Sequence, residues 1–308
     1  MPRLFSKAEL SFLILGVAYA CEPFVNTRIG VAALGFAGRT GACPYTNAAE
    51  ATAERSRQAS GVRDLESKIK SVQTDGSLLR MTSPAGEFWI PKGTDLTFLL
   101  SEDNRDIYTR GGARIKAGDI VLDCGANVGV FTRRALKAGA KLVIAIDPSP
   151  LNVVAMQRTF AADIAAGRVI VYGKGVWNKD DTLTMNIHDN SALDSVVMGD
   201  RPEDSYAKTR SVNVPLTTID KLASELKLDR VDFIKMDIEG AERQALAGAS
   251  ETIRKWQPRM AISLENLPDD QFVVPQIVKS IYSGYKSECG PCDALGSFEI
   301  RPSVTYFF

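Results

Sequence analysis

IVLDCGANVG, from Ile120 to Gly129, carries a short apolar strand directly into a turn punctuated by glycine. A continuous apolar run of this kind suits a strand covered on both faces. Asp123 falls at its carboxyl end, the side on which open parallel sheets bind ligands. Gly125 and Gly129 let the backbone approach a ligand or a neighbouring element closely. A nicotinamide fingerprint requires GxGxxG, but Asn127 occupies the place of the second glycine and Val130 follows Gly129. The spacing here is DxGxNxG.

Working outward from this stretch, strands and helices alternate. A helix is expected over Val130 to Ala138, a strand over LVIAID, a helix over Asn152 to Ala165 and a strand over VIVYG. Further strands are expected at Val212 to Pro215, Asp232 to Met236 and Met260 to Leu264. A helix over Ala241 to Lys255 separates the last two. This order predicts an α/β fold with a mostly parallel sheet, right-handed crossovers and flanking helices. Tyr285 to Glu288 and Val304 to Phe308 are expected to close it as an edge hairpin. Upstream, Leu78 to Met81 and Glu87 to Ile90 flank SPAG and read as a small hairpin.

Acidic residues end several of these strands. Asp147, in AIDP, is placed to accept hydrogen bonds from ribose hydroxyls, with Pro148 beside it. Asp237 ends the apolar strand of FIKMDIEGAE, where an unpaired carboxylate is costly. Glu239 and Glu242 suit the start of the following helix. Glu265 closes AISLE, between substrate contact and turn chemistry. NLPD, Asn266 to Asp269, reads as a turn. Asp237, Glu239 and Glu265 are hard oxygen ligands of the kind magnesium or calcium takes, but the sequence assigns no metal.

Taken in order, IVLDCGANVGVFT, AIDPSP, VPLTTIDKL, DFIKMDIEGAE and AISLEN resemble the FkbM-type methyltransferases over roughly Ala113 to Leu267. The resemblance implies a class I, Rossmann-like fold, S-adenosylmethionine as cofactor and O-methylation of a hydroxyl on a sugar, glycolipid or natural product. It implies that Asp123 orients the turn and approaches the methionine amino group. Gly125, Ala126, Asn127, Gly129, Asp147 and Pro148 then complete the cofactor site. Asp237, Glu265 and His188, the lone histidine, are the candidate catalytic groups. Two departures stand out: Cys124 replaces an Ile or Val, and Asn266 stands where relatives place His, which leaves the general base open. The alternatives are a nicotinamide-dependent oxidoreductase, which the glycine spacing disfavours, and a non-catalytic binding protein at a membrane.

The 37 basic and 37 acidic side chains cancel, so no basic field points to nucleic acid. Arg3, Lys7 and the apolar run Leu10 to Cys21 resemble an export signal or anchor, though the run is short for a membrane span. A cytoplasmic location is the alternative. Ile29 to Ala37 reads as a hairpin partner or a linker. Residues 1–46 are taken as leader and linker, 47–75 as an exposed helical stalk carrying Val62, Leu65, Ile69 and Val72, and 76–308 as the catalytic domain. The five cysteines do not read as a disulfide scaffold, and CGPC, Cys289 to Cys292, reads as a turn with incidental thiols. Residues 186–198 and Leu99 to Arg110 are the expected acceptor-side linings.

Overall fold

The computed structural model describes residues 28–187, 210–295 and 299–308. It begins with helices α1 (Arg28–Phe36) and α2 (Tyr45–Glu66), followed by an antiparallel sheet of β1 (Lys70–Asp75), β2 (Leu78–Ser83) and β3 (Gly86–Pro91). Helix α3 (Leu96–Asn104) leads to β4 (Ile120–Cys124), α4 (Val130–Lys137), β5 (Leu142–Ile146), α5 (Pro150–Thr159), α6 (Ala161–Ala165) and β6 (Val169–Tyr172). Next come β7 (Gly175–Val176), β8 (Asp181–Ile187), β9 (Arg210–Thr217), α7 (Ile219–Glu225), β10 (Phe233–Met236), α8 (Glu242–Ala247), α9 (Ser250–Trp256) and β11 (Arg259–Ser263). The chain closes with α10 (Asp270–Ile281), β12 (Ser287–Cys289), β13 (Cys292–Leu295), β14 (Glu299–Pro302) and β15 (Val304–Phe307).

The central sheet has seven strands in the order β12-β15-β11-β10-β4-β5-β6. Its inner pairings are parallel, and β15 runs antiparallel to both β11 and β12. This is the class I methyltransferase arrangement expected above. Both faces are covered, which explains the uninterrupted apolar strands. On one face Leu122, Ile144, Ile234 and Ile262 pack with Ile219 of α7, Leu246 of α8, Ile253 of α9 and Val278 of α10. On the other, Val121, Val143, Phe233 and Ala261 pack with Phe131 and Ala135 of α4. Each large apolar side chain withdrawn from water in this way contributes about 1.5–3 kcal/mol.

Several local expectations are corrected. Ile29 to Ala37 is neither hairpin nor linker but most of α1, whose Val31 and Leu34 pack against Ala48 and Ala51 of α2. Helix α2 is not an exposed stalk: Ala48, Ala51, Glu54 and Leu65 are buried. It also stops at Glu66, so Ile69 lies beyond it and Val72 lies in β1, because pairing with β2 overrides the helical spacing. The expected helix over Ala241 to Lys255 breaks into α8 and α9. At the break, a Cβ on Gly248 would lie 2.1 Å from the carbonyl oxygen of Trp177, so the chain turns where only glycine fits. The last strands pair β12 with β15, but β13 and β14 intervene, so they are no simple hairpin. CGPC is not incidental, since Cys292 forms a disulfide with Cys43, a pairing that 249 residues of separation hid from any spacing rule. The apolar run Leu10 to Cys21 lies outside the described residues. No helix among those described is long and apolar enough to cross a membrane.

Gly129, φ 86°, opens α4, and a Cβ there would lie 2.3 Å from the ring of Phe160. Gly167, φ 69°, has open space around it. Gly167→Ala should cost only the left-handed strain of about 1–2 kcal/mol. Gly129→Ala should add about 1–3 kcal/mol of overpacking, read as a larger drop in the urea midpoint. Equal losses would mean that Phe160 yields freely.

Candidate functional site

The turn after β4 is strapped to β5, because the amides of Gly125 and Ala126 both donate to the carbonyl of Ile146, at 3.0 and 2.9 Å. Gly125 has φ 78°, and a Cβ there would fall 1.8 Å from the carbonyl oxygen of Asp237, so only glycine lets the turn sit against the end of β10. Asn127 takes a left-handed φ of 53°, a conformation asparagine tolerates better than most residues. Its amide donates to Asp147 Oδ2 at 2.8 Å. Asp147 Oδ1 accepts from the amide of Ser149 (2.9 Å) and from Asn152 Nδ2 (3.1 Å). Burial pushes the Asp147 carboxyl up to about 6, against the pull of these donors.

Beneath the turn, Lys235 and Asp123 are register partners on β10 and β4. Lys235 Nζ donates to the carbonyl of Gly125 (2.8 Å) and lies 3.7 Å from Asp123 and 3.8 Å from Asp237. Burial by itself would depress its pKa, but the Asp237 and Asp123 carboxylates outweigh it and hold the ammonium above its ordinary range. Asp123 is fully buried and accepts from Thr132 Oγ1 at 2.7 Å. Burial raises its carboxyl against the opposing pull of Lys235.

Above them, Asp237 accepts from the hydroxyl of Tyr108 at 2.9 Å. Two further acids face the same space. Burial, then repulsion from Asp237 and Glu265, pushes Glu102 of α3 up to about 8. Burial likewise lifts Glu265 to about 7, against a hydrogen bond from Ser303 and with repulsion from Asp293 and Asp237. Glu265 is exposed and lines the open cavity, so solvent tempers that lift.

A cavity of about 490 Å³ joins these groups, inside the range typical of small-molecule sites. Gly125, Ala126, Asn127, Asp147 and Pro148 line it as expected, together with Asp237 and Glu265. Asp123 and Gly129 lie outside the lining. Asp123 meets Thr132 and Lys235 beneath the turn, and Gly129 makes room for Phe160. His188 and most of 186–198 lie outside the described residues. Asn266 donates to Glu242 Oε1 at 3.1 Å while lining the cavity. The sequence reading missed Lys235 and Asn152, and reached Glu102 and Tyr108 only as members of the segment Leu99 to Arg110. A lysine within FIKM was a legible signal, because a charge in a central apolar strand must be paired.

Fold and cavity together define a class I methyltransferase domain. The chain belongs to the family described as Methyltransferase FkbM domain, whose model matches residues 123–289. It is 25% identical over 167 residues to the 31-O-demethyl-FK506 methyltransferase FkbM of Streptomyces tacrolimicus, covering 47% of this chain and 64% of that protein. It is 21% identical over 180 residues to the methyltransferase sdnD of Sordaria araneosa, covering 47% of this chain and 70% of that one. The crystal structure of methyltransferase FkbM from Methylobacillus flagellatus KT matches at 21% identity with a TM-score of 0.48, over 69% of this chain and 52% of that one. The chain thus spans less than two thirds of the Streptomyces relative and about half of the Methylobacillus chain.

Lys235→Met should cost about 3–5 kcal/mol near neutral pH, because it strands a buried charge on Asp123. Burial already raises the folded pKa of Asp123, and losing the cation raises it further. The penalty belongs to the ionised form, so it should shrink as pH falls through that raised value. Urea unfolding of both proteins from about pH 8 to about pH 5 checks this, and a gap that ignores pH would assign the loss to packing.

Proposed function

We propose that this chain is an S-adenosylmethionine-dependent O-methyltransferase acting on a hydroxyl of a sugar, glycolipid or natural product. The observation that carries the reading is one cavity lined both by the Gly125 turn and Asp147 and by the carboxyls of Asp237, Glu102 and Glu265. The cofactor end suits a nucleoside. Asp147 keeps accepting capacity toward the cavity, and Asn152 Oδ1 is buried there with no hydrogen-bond partner among the described residues. When bound, the cofactor supplies a sulfonium methyl open to in-line displacement. The name of the Streptomyces relative, a 31-O-demethyl-FK506 methyltransferase, agrees with an oxygen acceptor.

The chain's own groups then divide the work. Asp147 and Asn152 hold the ribose, and the backbone of Gly125 and Ala126 lies against the ligand. Asp237, fixed by Tyr108 and facing Lys235, orients the acceptor hydroxyl. Glu265 takes the hydroxyl proton, since a carboxyl titrating near 7 is matched to general-base work at neutral pH. His188 is the second candidate base.

Calorimetric titration of the full chain with S-adenosylhomocysteine, with NAD as control, should show binding of the former alone. Glu265→Gln should retain that binding and lose about 100- to 10,000-fold in kcat toward an acceptor found by screening hydroxyl compounds with labelled methyl donor. Wild-type kcat should rise with pH through about 7, and the variant should lose that limb. A folded chain that ignores S-adenosylhomocysteine would sink the proposal. If Glu265→Gln keeps the limb and His188→Gln abolishes it, the base is His188.

A further inference from the structure

Three sulfurs from distant parts of the chain meet beside α2. Cys43, in the turn between α1 and α2, is bonded to Cys292 at the start of β13. Cys289 Sγ, at the end of β12, lies 3.9 Å from Cys292 Sγ, and all three sulfurs fall within 4.8 Å of one another. A covalent clip needs only two cysteines. The third is nonetheless held in place: Asn47 Nδ2 donates to the carbonyls of Cys289 (3.1 Å) and Gly290 (2.9 Å). The Gly290 amide donates to the carbonyl of Val304 at 2.8 Å, and Cys292 pairs in register with Pro302. The surroundings are apolar, from Val31, Leu34, Ala48 and Ile300.

Sulfur donors in an apolar pocket select zinc or copper(I) over magnesium or calcium. A zinc–sulfur bond of about 2.3 Å sets tetrahedral ligand sulfurs roughly 3.8 Å apart. The Cys289–Cys292 pair already has that spacing. Reducing the Cys43–Cys292 bond adds two electrons and two protons, supplied by a dithiol that becomes a disulfide or by a phosphine with water, which together become the phosphine oxide. The two thiols then separate to ordinary contact, which brings the third edge of the triangle toward the same length. We propose that in the reduced chain Cys43, Cys289 and Cys292 bind a soft cation, zinc being the probe, as three thiolates. Three thiol protons are released, and the fourth position is left to water. Disulfide and metal thus become alternative clips joining the N-terminal helices to the C-terminal strands.

The test is zinc and cobalt(II) titration of the full chain after phosphine reduction and anaerobic desalting, with metal content and melting temperature as readouts. Expected are one zinc per chain, a thiolate-to-cobalt charge-transfer band and a higher melting temperature on metal addition. Cys289→Ser should keep the oxidised chain's melting temperature yet weaken zinc binding by more than the roughly 10- to 100-fold that loss of an outer-shell partner costs. Oxidised wild type, with two of the sulfurs joined, should show the same weakening, which keeps the test decisive if the variant fails to fold. A reduced wild type that takes up no zinc, or binding unaffected by both Cys289→Ser and oxidation, overturns the site.

Discussion

The ammonium of Lys235 lies where the carboxyl ends of β4 and β10 meet the glycine turn, and the geometry of the site depends on it. Placing a cation there costs several kcal/mol in lost hydration. Asp123, Asp237 and the carbonyl of Gly125 answer that cost from three directions. The sheet makes room for the arrangement. Across one transverse row, Ala145, Asp123, Lys235, Ala261 and Tyr306 are successive register partners, so a small alanine flanks the charged pair on each side. Larger neighbours would force Asp123 and Lys235 out of line. The ring of Tyr108 lies 5.2 Å from Lys235 Nζ, adding a favourable face for the cation on the cavity side.

The wall of the cavity formed by α3 and the residues after it depends on how firmly that segment is held. Glu54 of α2 pairs with Arg105 (3.1 Å) and Arg110 (3.3 Å). Burial alone would raise its carboxyl, but Arg57, Arg110 and Arg105 outweigh it and keep Glu54 ionised. Tyr306 donates to the carbonyl of Ile107, and Arg134 of α4 pairs with Asp103. The segment is therefore gripped by α2, α4 and β15, and Glu102 and Tyr108 project from it into the cavity. Arg105 also reaches Asp293, which accepts from Ser303 and whose charge repels Glu265. The packing of α2 against the end of the sheet thereby bears on the carboxyls of the cavity.

One wall of the cavity was legible because it is local: Asp123, the Gly125 turn, Asp147 and Pro148 lie within one strand–helix–strand unit. What spacing could not show is which of these residues face the cavity. Asp123 and Gly129 belong to the pattern yet serve from beneath, one through Thr132 and Lys235 and the other through Phe160. Glu102 and Tyr108 were legible only as members of a segment, since nothing in their own neighbourhood says that α2 and β15 will turn them inward. The Cys43–Cys292 pairing was invisible for the same reason. Helix α2 misread at its end because a helical spacing of apolar residues persists into β1, where strand pairing decides.

This division between local and assembled halves separates what the family match covers from what it leaves out. Residues 123–289 contain the glycine turn and Asp147, together with Asp237 and Glu265. Phe98, Leu99, Glu102 and Tyr108, which wall the opposite side of the cavity, precede the matched region. A methyl donor presents the same surface to every such domain, so its half can be built from short-range turns with fixed spacing. The rest of the wall is supplied by α3 and the loop after it, held by charges on α2. What enters the cavity therefore meets one wall built by the matched region and another built by the residues that precede it.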